Sequence, residues 1–329
     1  MTNRIYLDHA ATTPLRPEAR AAMEEGFALW ANPSSPHAEG RRAKNALEDA
    51  RARVKAALSW SGEVIFTSGA SESLWLALNR SKASRRIVSA VEHDAVFRAA
   101  PDAEISSDES TFDASTLLAV QHVNSETGVI NPVSQMAETI KSSGAVLLSD
   151  CAQSAGKLDL PDADMLVVSA HKLGGPIGIG ALLVRDWALL EPMGGHERGY
   201  RQGTENMPAA LGFASALEAG DWLTTPKERA GFAKELGDDL LTFGDQTDYI
   251  FALAHPSMSA QALLIRLDAM GIAVSAGSAC SSGTLKKSRV LDAFGVSDEV
   301  AARTIRVSLG WNTTTVDLDR FLEAWRSLS

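Results

Sequence analysis

The feature that most constrains this chain is a rhythm in its first half and a little beyond. Short apolar runs recur there, separated by stretches with helical spacing. Glu63-Val-Ile-Phe-Thr67, Arg86-Ile-Val-Ser-Ala90, Leu118-Ala-Val-Gln-His-Val123 and Ala145-Val-Leu-Leu-Ser-Asp150 are four of them. Met165-Leu-Val-Val-Ser169 and Gly180-Ala-Leu-Leu-Val184 continue the series. The runs are continuous rather than alternating, as strands buried on both faces require. With helices between them, they predict a mainly parallel α/β sheet. Ala38 to Leu58, rich in Ala, Arg, Lys and Glu, predicts a long amphipathic helix, and Ser71 to Asn79 a helix start.

After about residue 225 the pattern changes. Lys227 to Thr242 reads as helix, Tyr249 to Leu253 as strand, Ser259 to Met270 as helix and Ile272 to Ser275 as strand. Thr304 to Ser308 is a strand and Thr315 to Leu328 a closing helix, which together predict a smaller α+β unit. There are no tandem repeats and no low-complexity linker. A length of 329 residues with 45% hydrophobic content supports a large core and more than one domain.

The net charge of −10 gives no electrostatic footprint for nucleic acid. No apolar stretch is long enough for a bilayer, and the N-terminus lacks the apolar core of a signal peptide. A cytoplasmic, membrane-free protein is expected. The two cysteines, Cys151 and Cys280, are then not expected to form a disulfide.

Several residues have the chemistry of a catalytic site. In Ser169-Ala-His-Lys-Leu-Gly-Gly-Pro-Ile-Gly-Ile-Gly180, Lys172 follows a buried strand and precedes a Gly-rich segment. It is either a loop lysine or a Schiff-base lysine, whose deprotonation partial burial promotes. Ser169 and His171 are potential phosphate donors. Asp150 ends an apolar strand, where open α/β sheets bind ligands. It is either a helix N-cap or the carboxylate that a pyridinium nitrogen needs, with Gln153 three residues on.

Phe66-Thr-Ser-Gly-Ala-Ser-Glu-Ser73 is a strand, a Gly turn and a helix start, suited to a plain cap or to phosphate. His93 is a satisfied loop histidine or a ring stacked on a cofactor. Cys280 lies among small residues, Val274-Ser-Ala-Gly-Ser-Ala-Cys-Ser-Ser-Gly-Thr284, with Lys286 and Lys287 nearby to favour a thiolate. A merely flexible loop has the same composition. Arg306, in a β-branched strand, needs a partner if it faces inward, and a substrate carboxylate fits its fork.

Together these segments resemble the cysteine desulfurases, in the class V aminotransferase branch of fold-type I pyridoxal-phosphate enzymes. The resemblance runs in order through Tyr6-Leu-Asp-His-Ala-Ala-Thr-Thr-Pro14, Asn32-Pro-Ser-Ser-Pro-His37, Thr67 to Ser73, Glu92-His93 and His122-Val-Asn-Ser-Glu-Thr-Gly128. It continues through Asp150 to Gln153, Ser169 to Gly180, Gly194-Gly-His-Glu-Arg-Gly-Tyr-Arg-Gln-Gly-Thr204, Gly277 to Ser282 and Ile305 to Gly310.

The resemblance implies a large domain over residues 14–225 with a mainly parallel seven-stranded sheet. It also implies a small α+β domain of residues 1–13 and 226–329. It implies pyridoxal 5'-phosphate bound through Lys172, with no metal. Asp150 would pair with the pyridine nitrogen, Gln153 would contact the ring hydroxyl, and His93 would stack on the ring and help move protons. Ala70, Ser71, Ser169 and His171 would hold the phosphate, joined by Thr204 across a homodimer interface. Arg306 would bind the carboxylate of L-cysteine, with Asn32 close by. Cys280 would take the sulfur, giving alanine and a persulfide for an acceptor protein. That acceptor would be an iron–sulfur scaffold or a sulfur carrier in tRNA or cofactor thiolation.

Some positions depart from the family pattern. Ser125 stands where an asparagine usually contacts the cofactor, so its reach is shorter. Ala170 replaces a common glycine and Ser71 a common threonine. Leu74-Trp75 and Trp311-Asn312 are further departures. Housekeeping members have a longer C-terminal tail beyond the position of Ser329, so scaffold docking through that tail is not expected. Two alternatives share the motifs: a selenocysteine lyase or cysteine-sulfinate-directed relative, and a weakly active sulfur-carrier or regulatory paralogue.

Overall fold

A computed structural model describes residues 4–276 and 288–328. The chain divides into two compact units. One comprises Pro14–His122 and Asn131–Gly220, the other Met1–Thr13, Val123–Ile130 and Asp221–Ser329. The segment 123–130, which the sequence division leaves in the large domain, clusters with the second unit.

The first unit is built on a seven-stranded sheet, the number that the family resemblance implies. Its spatial order is Glu63–Thr67, Gly180–Val184, Met165–Ser169, Val146–Asp150, Thr116–Ala119, Arg85–Val88 and Glu104–Ile105. Gly180–Val184 runs antiparallel to both neighbours, and every other pairing is parallel. All residues of Met165–Ser169 and Gly180–Val184 are buried, which accounts for their unbroken apolar character.

Alternate strand residues feed two separate cores. Val64, Phe66, Ile87, Leu118, Leu147, Leu166, Val168, Ala181 and Leu183 pack on one face, against helices Pro17–Ala28, Ala38–Ala57, Val133–Ser143 and Met207–Ala219. Ile65, Val88, Leu117, Ala119, Leu148, Met165, Val167, Leu182 and Val184 pack on the other, against Ala70–Arg80 and Asp94–Ala99. The period of two along each strand thus gives a three-layer α/β/α arrangement.

Within Ala38–Ala57 the buried positions are Gly40, Ala43, Leu47, Ala50, Arg51 and Val54, one stripe at helical spacing. Arg51 is the charged member of that stripe.

Among the described residues the second unit holds two small sheets. Ile5–Tyr6 pairs in parallel with Ile272–Ala273, and Thr304–Ser308 pairs antiparallel with Ile250–Ala254. Single bridges from Asp8 to Ser308 and from Ser275 to Arg306 extend these ladders. The helix expected over Lys227 to Thr242 covers Pro226–Leu236 and stops at Gly237, whose φ of 57° an L side chain rarely adopts. Its start is a capping box, with Thr225 and Glu228 satisfying each other's backbone N–H. Among the described residues no helix is long and apolar enough to cross a membrane.

Candidate active site

The parallel strands of the first unit end along one rim of the sheet. Glu63–Thr67 shares their direction, because two antiparallel pairings separate it from Met165–Ser169. Beyond these ends lie Gly69 to Ser71, His93, Asp150 to Gln153, and Ser169 to Lys172. This is the position at which open α/β sheets bind ligands.

Gly69 precedes the Ala70–Arg80 helix with φ 148° and ψ −178°, a region open to glycine alone, and no side chain caps the helix start. A Cβ built on Gly69 would meet nothing within 4 Å, so space lies open before the first turn. A Cβ on Gly180 would come within 2.8 Å of Gly69 Cα, so this glycine is what lets the turn approach the sheet. Ser71 is exposed and Ala70 half-buried at the start of that helix. The Thr67 hydroxyl braces the turn by donating to Gly69 O at 3.1 Å, and it bonds Ser73 Oγ at 2.8 Å.

Asp150 is buried, and its Oδ1 accepts from Ala152 N at 2.9 Å. Burial pushes its carboxyl pKa up, opposed by the Ala152 N–H and by the charges of His93 and Lys172. His93 caps the Asp94–Ala99 helix, its Nδ1 accepting from Ala95 N at 3.2 Å. That bond leaves Nε2 to hold the proton of the neutral ring. The residue is solvent-exposed overall, yet desolvation of the ring lowers its pKa, with Asp150 opposing and Lys172 adding to the shift. Asp150, His93 and Lys172 therefore feel one another's charge.

His171 is held to about 4, by burial first and then by Lys172 and Lys157. Ser169 and Gln153 are buried, while Lys172 and His171 are half-buried. Thr204 is exposed. Asn32 is also exposed, and its Oδ1 accepts from Ser34 N at 2.8 Å in a local turn.

Ser125 and Arg306 belong to the second unit and meet there. Arg306 donates from Nη1 to Ser125 O at 2.9 Å and from Nη2 to Asp8 Oδ1 at 2.8 Å. Cys280, Lys286 and Lys287 lie outside the described residues. Cys151 is fully buried, and burial pushes its thiol up to about 12.

Two features had escaped the motif reading. Lys157 is lowered to about 7, by burial of its ammonium and then by the charge of Lys172. Its sequence signal is a lysine in the otherwise small and apolar Ala155-Gly-Lys-Leu158. The second is a buried ion pair between Arg51 and Glu197, signalled by an arginine on the apolar stripe of a helix.

The residues of the rim fit pyridoxal phosphate. An uncapped helix N-terminus behind open space suits an anionic phosphate. A buried carboxylate whose pKa burial has raised suits a ring cation, which would restore its ionised form. Lys172, whose charge reaches that carboxylate, suits covalent attachment. Gly69 to Ser71, His93, Asp150, Gln153, Ser169, His171 and Lys172 would hold the group.

Comparison with known proteins agrees with this geometry. The family model described as aminotransferase class-V matches residues 5–108 and 103–321. A cysteine desulfurase, IscS 1, of Archaeoglobus fulgidus is 33% identical, over 97% of this chain and 95% of the relative. A cysteine desulfurase of Cereibacter sphaeroides is 34% identical, over 97% of this chain and 94% of the relative. Among solved structures, a NifS-like protein from Rickettsia africae superposes with a TM-score of 0.89 at 27% identity, covering 99% of both chains. SspA in complex with cysteine superposes with a TM-score of 0.79 at 28% identity, over 94% of this chain and 100% of that one. A fold matched end to end, with relatives a third identical over nearly the whole chain, leads to one conclusion: the chain belongs to the cysteine desulfurase family of the class-V aminotransferases.

Proposed function

We propose that this enzyme is a pyridoxal-phosphate-dependent cysteine desulfurase that acts on L-cysteine and passes the sulfur on through Cys280. The observation that carries the reading is that Asp150, His93 and Lys172, which feel one another's charge, follow strand ends on the same rim as the uncapped start of the Ala70–Arg80 helix. In the overall reaction the substrate's C–S bond breaks and a bond forms from that sulfur to Cys280 Sγ. The substrate's β-carbon takes up a proton. L-cysteine and the enzyme thiol thus become L-alanine and an enzyme persulfide, with no outside oxidant needed.

When bound, pyridoxal phosphate supplies an electron sink for the bonds at the substrate's α-carbon. Asp150 would keep the ring nitrogen protonated, and Gln153 would bond the ring hydroxyl. The N–H groups of Ala70 and Ser71, with Ser169 and His171, would hold the phosphate. Lys172 would hold the cofactor through Nζ. His93, fixed by Ala95 N, handles protons with Nε2 on its free side. Arg306 grips the substrate carboxylate, with Asn32 assisting, and Ser125 stands where the family contacts the cofactor with an asparagine.

The same reading makes the enzyme a cytoplasmic homodimer in which Thr204 of each protomer completes its partner's phosphate site. The persulfide passes to an iron–sulfur scaffold or a sulfur carrier. Incubating the purified protein with L-cysteine and a thiol reductant tests the activity: alanine and sulfide should appear in equal amounts. Release of neither from a pyridoxal-phosphate-loaded sample would refute it.

A further inference from the structure

The segment from Gly194 to Thr204 is tied to the rest of the first unit by several side chains. Glu197 is buried, and its carboxylate accepts from Arg51 Nη1 at 2.7 Å, Arg51 Nη2 at 3.1 Å and Phe66 N at 2.8 Å. Arg51 also donates to Val64 O at 2.7 Å and lies over the Phe66 ring at 4.8 Å. Val64 and Phe66 belong to the edge strand Glu63–Thr67, the strand that leads into the Gly69–Ser71 turn. The pair thus occupies edge groups that another strand would otherwise seek.

Tyr200 stacks on Trp187, ring centroids 4.5 Å apart and 9° from parallel. Arg201 Nε lies 3.3 Å from Glu72 Oε1, and Glu72 accepts from Ser68 N at the same turn. Arg201 also donates to Gly203 O at 3.2 Å, beside exposed Thr204.

The backbone at the first tie is strained. Glu197 and Arg198 have φ values of 48° and 57°, a left-handed conformation rare for residues with a side chain. Such strain persists only where the surroundings over-determine it, and it clusters at ligand clamps. Folding stability alone gives no reason to prefer a buried ion pair, since an apolar pair of similar volume does as well. What this pair does achieve is a fixed register between the 194–204 segment and the strand ending at the phosphate turn.

We infer that Arg51 and Glu197 are positioning residues for phosphate binding, clamping the segment that offers Thr204 to the partner's phosphate against the strand that presents Gly69 to Ser71 to this protomer's own, with Arg201 and Glu72 as a second tie. The inference rests on the proposed role of the 69–71 turn and of Thr204 in phosphate binding, and adds residues that touch neither the cofactor nor the substrate.

The test titrates cofactor-free protein with pyridoxal phosphate and, in parallel, follows protease cleavage between residues 194 and 204. Glu197→Gln should weaken cofactor affinity by about tenfold, the worth of one charged hydrogen bond, and should speed cleavage. Arg201→Gln, at a half-buried pair that tolerates loss, should change both in the same direction and serves if the first variant fails to fold. Arg53→Gln breaks an exposed pair with Glu218 on the same helix as Arg51 and should alter neither readout. Affinity within about twofold of the parent in the folded Glu197 and Arg201 variants would overturn the inference. An equal loss in Arg53→Gln would overturn it too, by pointing to general destabilisation. A parent protein that binds no pyridoxal phosphate would instead remove the functional reading on which the inference stands.

Discussion

Asp8 holds Arg306: the guanidinium donates from Nη2 to the Asp8 carboxylate at 2.8 Å, at the foot of a buried strand. A second nitrogen, Nη1, is spent on Ser125 O, while Nε is buried with no hydrogen-bond acceptor among the described residues. A buried donor without a partner is costly, and a carboxylate acceptor relieves that cost. The fork is therefore oriented by the protein before any substrate arrives.

Arg306→Lys tests this orientation. An ammonium cannot reproduce the planar fork, so kcat/KM for L-cysteine should fall roughly 10- to 100-fold, the worth of one or two charge-assisted hydrogen bonds. The visible absorbance of bound cofactor should stay as in the parent. Loss of that absorbance, or an unchanged kcat/KM, would speak against a role in substrate binding.

Asp150→Asn removes the buried carboxylate but keeps its shape. The amide can still accept from Ala152 N, yet it cannot hold a ring nitrogen protonated. Some cofactor should remain bound, and alanine production should drop by roughly a hundredfold or more. Unchanged turnover would reduce Asp150 to a backbone cap.

Cys151 should be chemically silent. With its thiol at about 12 and no exposed surface, it has almost no thiolate near neutral pH. Brief alkylation of the native protein at mildly alkaline pH should modify Cys280 and spare Cys151, as read by peptide mass spectrometry. Rapid modification of Cys151 would show that the site is not closed.

His171 gives a pH dependence whose sign follows from its shift. Its pKa falls from 6.5 to about 4 on folding, so the unfolded chain binds a proton first as the pH drops. This contribution to stability is present above pH 6.5 and is lost as the pH falls from there through about 4. In cofactor-free protein, the urea midpoint of His171→Gln should decline less steeply than the parent's across that window. Parallel slopes would contradict the assignment.

Much of this architecture is legible in the chain because burial writes itself into composition. Met165–Ser169 and Gly180–Val184 are sealed on both faces and read as unbroken apolar runs. Glu104–Ile105 is a two-residue edge strand, exposed throughout, and leaves no such trace. Asp150 and Lys172 stood out because a charge at the end of an apolar strand demands a reason. Glu197 did not, since its partner Arg51 is 146 positions away and no local pattern joins them. The clustering of the 123–130 segment with the second unit is not legible for a related cause. Its attachment depends on distant contacts, such as Ile130 N to Asp245 O at 2.9 Å and Thr247 N to Gly128 O at 2.9 Å.

The central claim is that sulfur leaves L-cysteine and lands on Cys280. Mass spectrometry of the enzyme after brief exposure to L-cysteine, without reductant, tests it most directly, with alanine counted in the same sample. One added sulfur on the peptide containing Cys280 is predicted, matched by one alanine, and Cys280→Ser should bind the cofactor yet make neither. Sulfur on Cys151, or full alanine production by Cys280→Ser, would contradict the account, the latter pointing to a selenocysteine-lyase-like elimination.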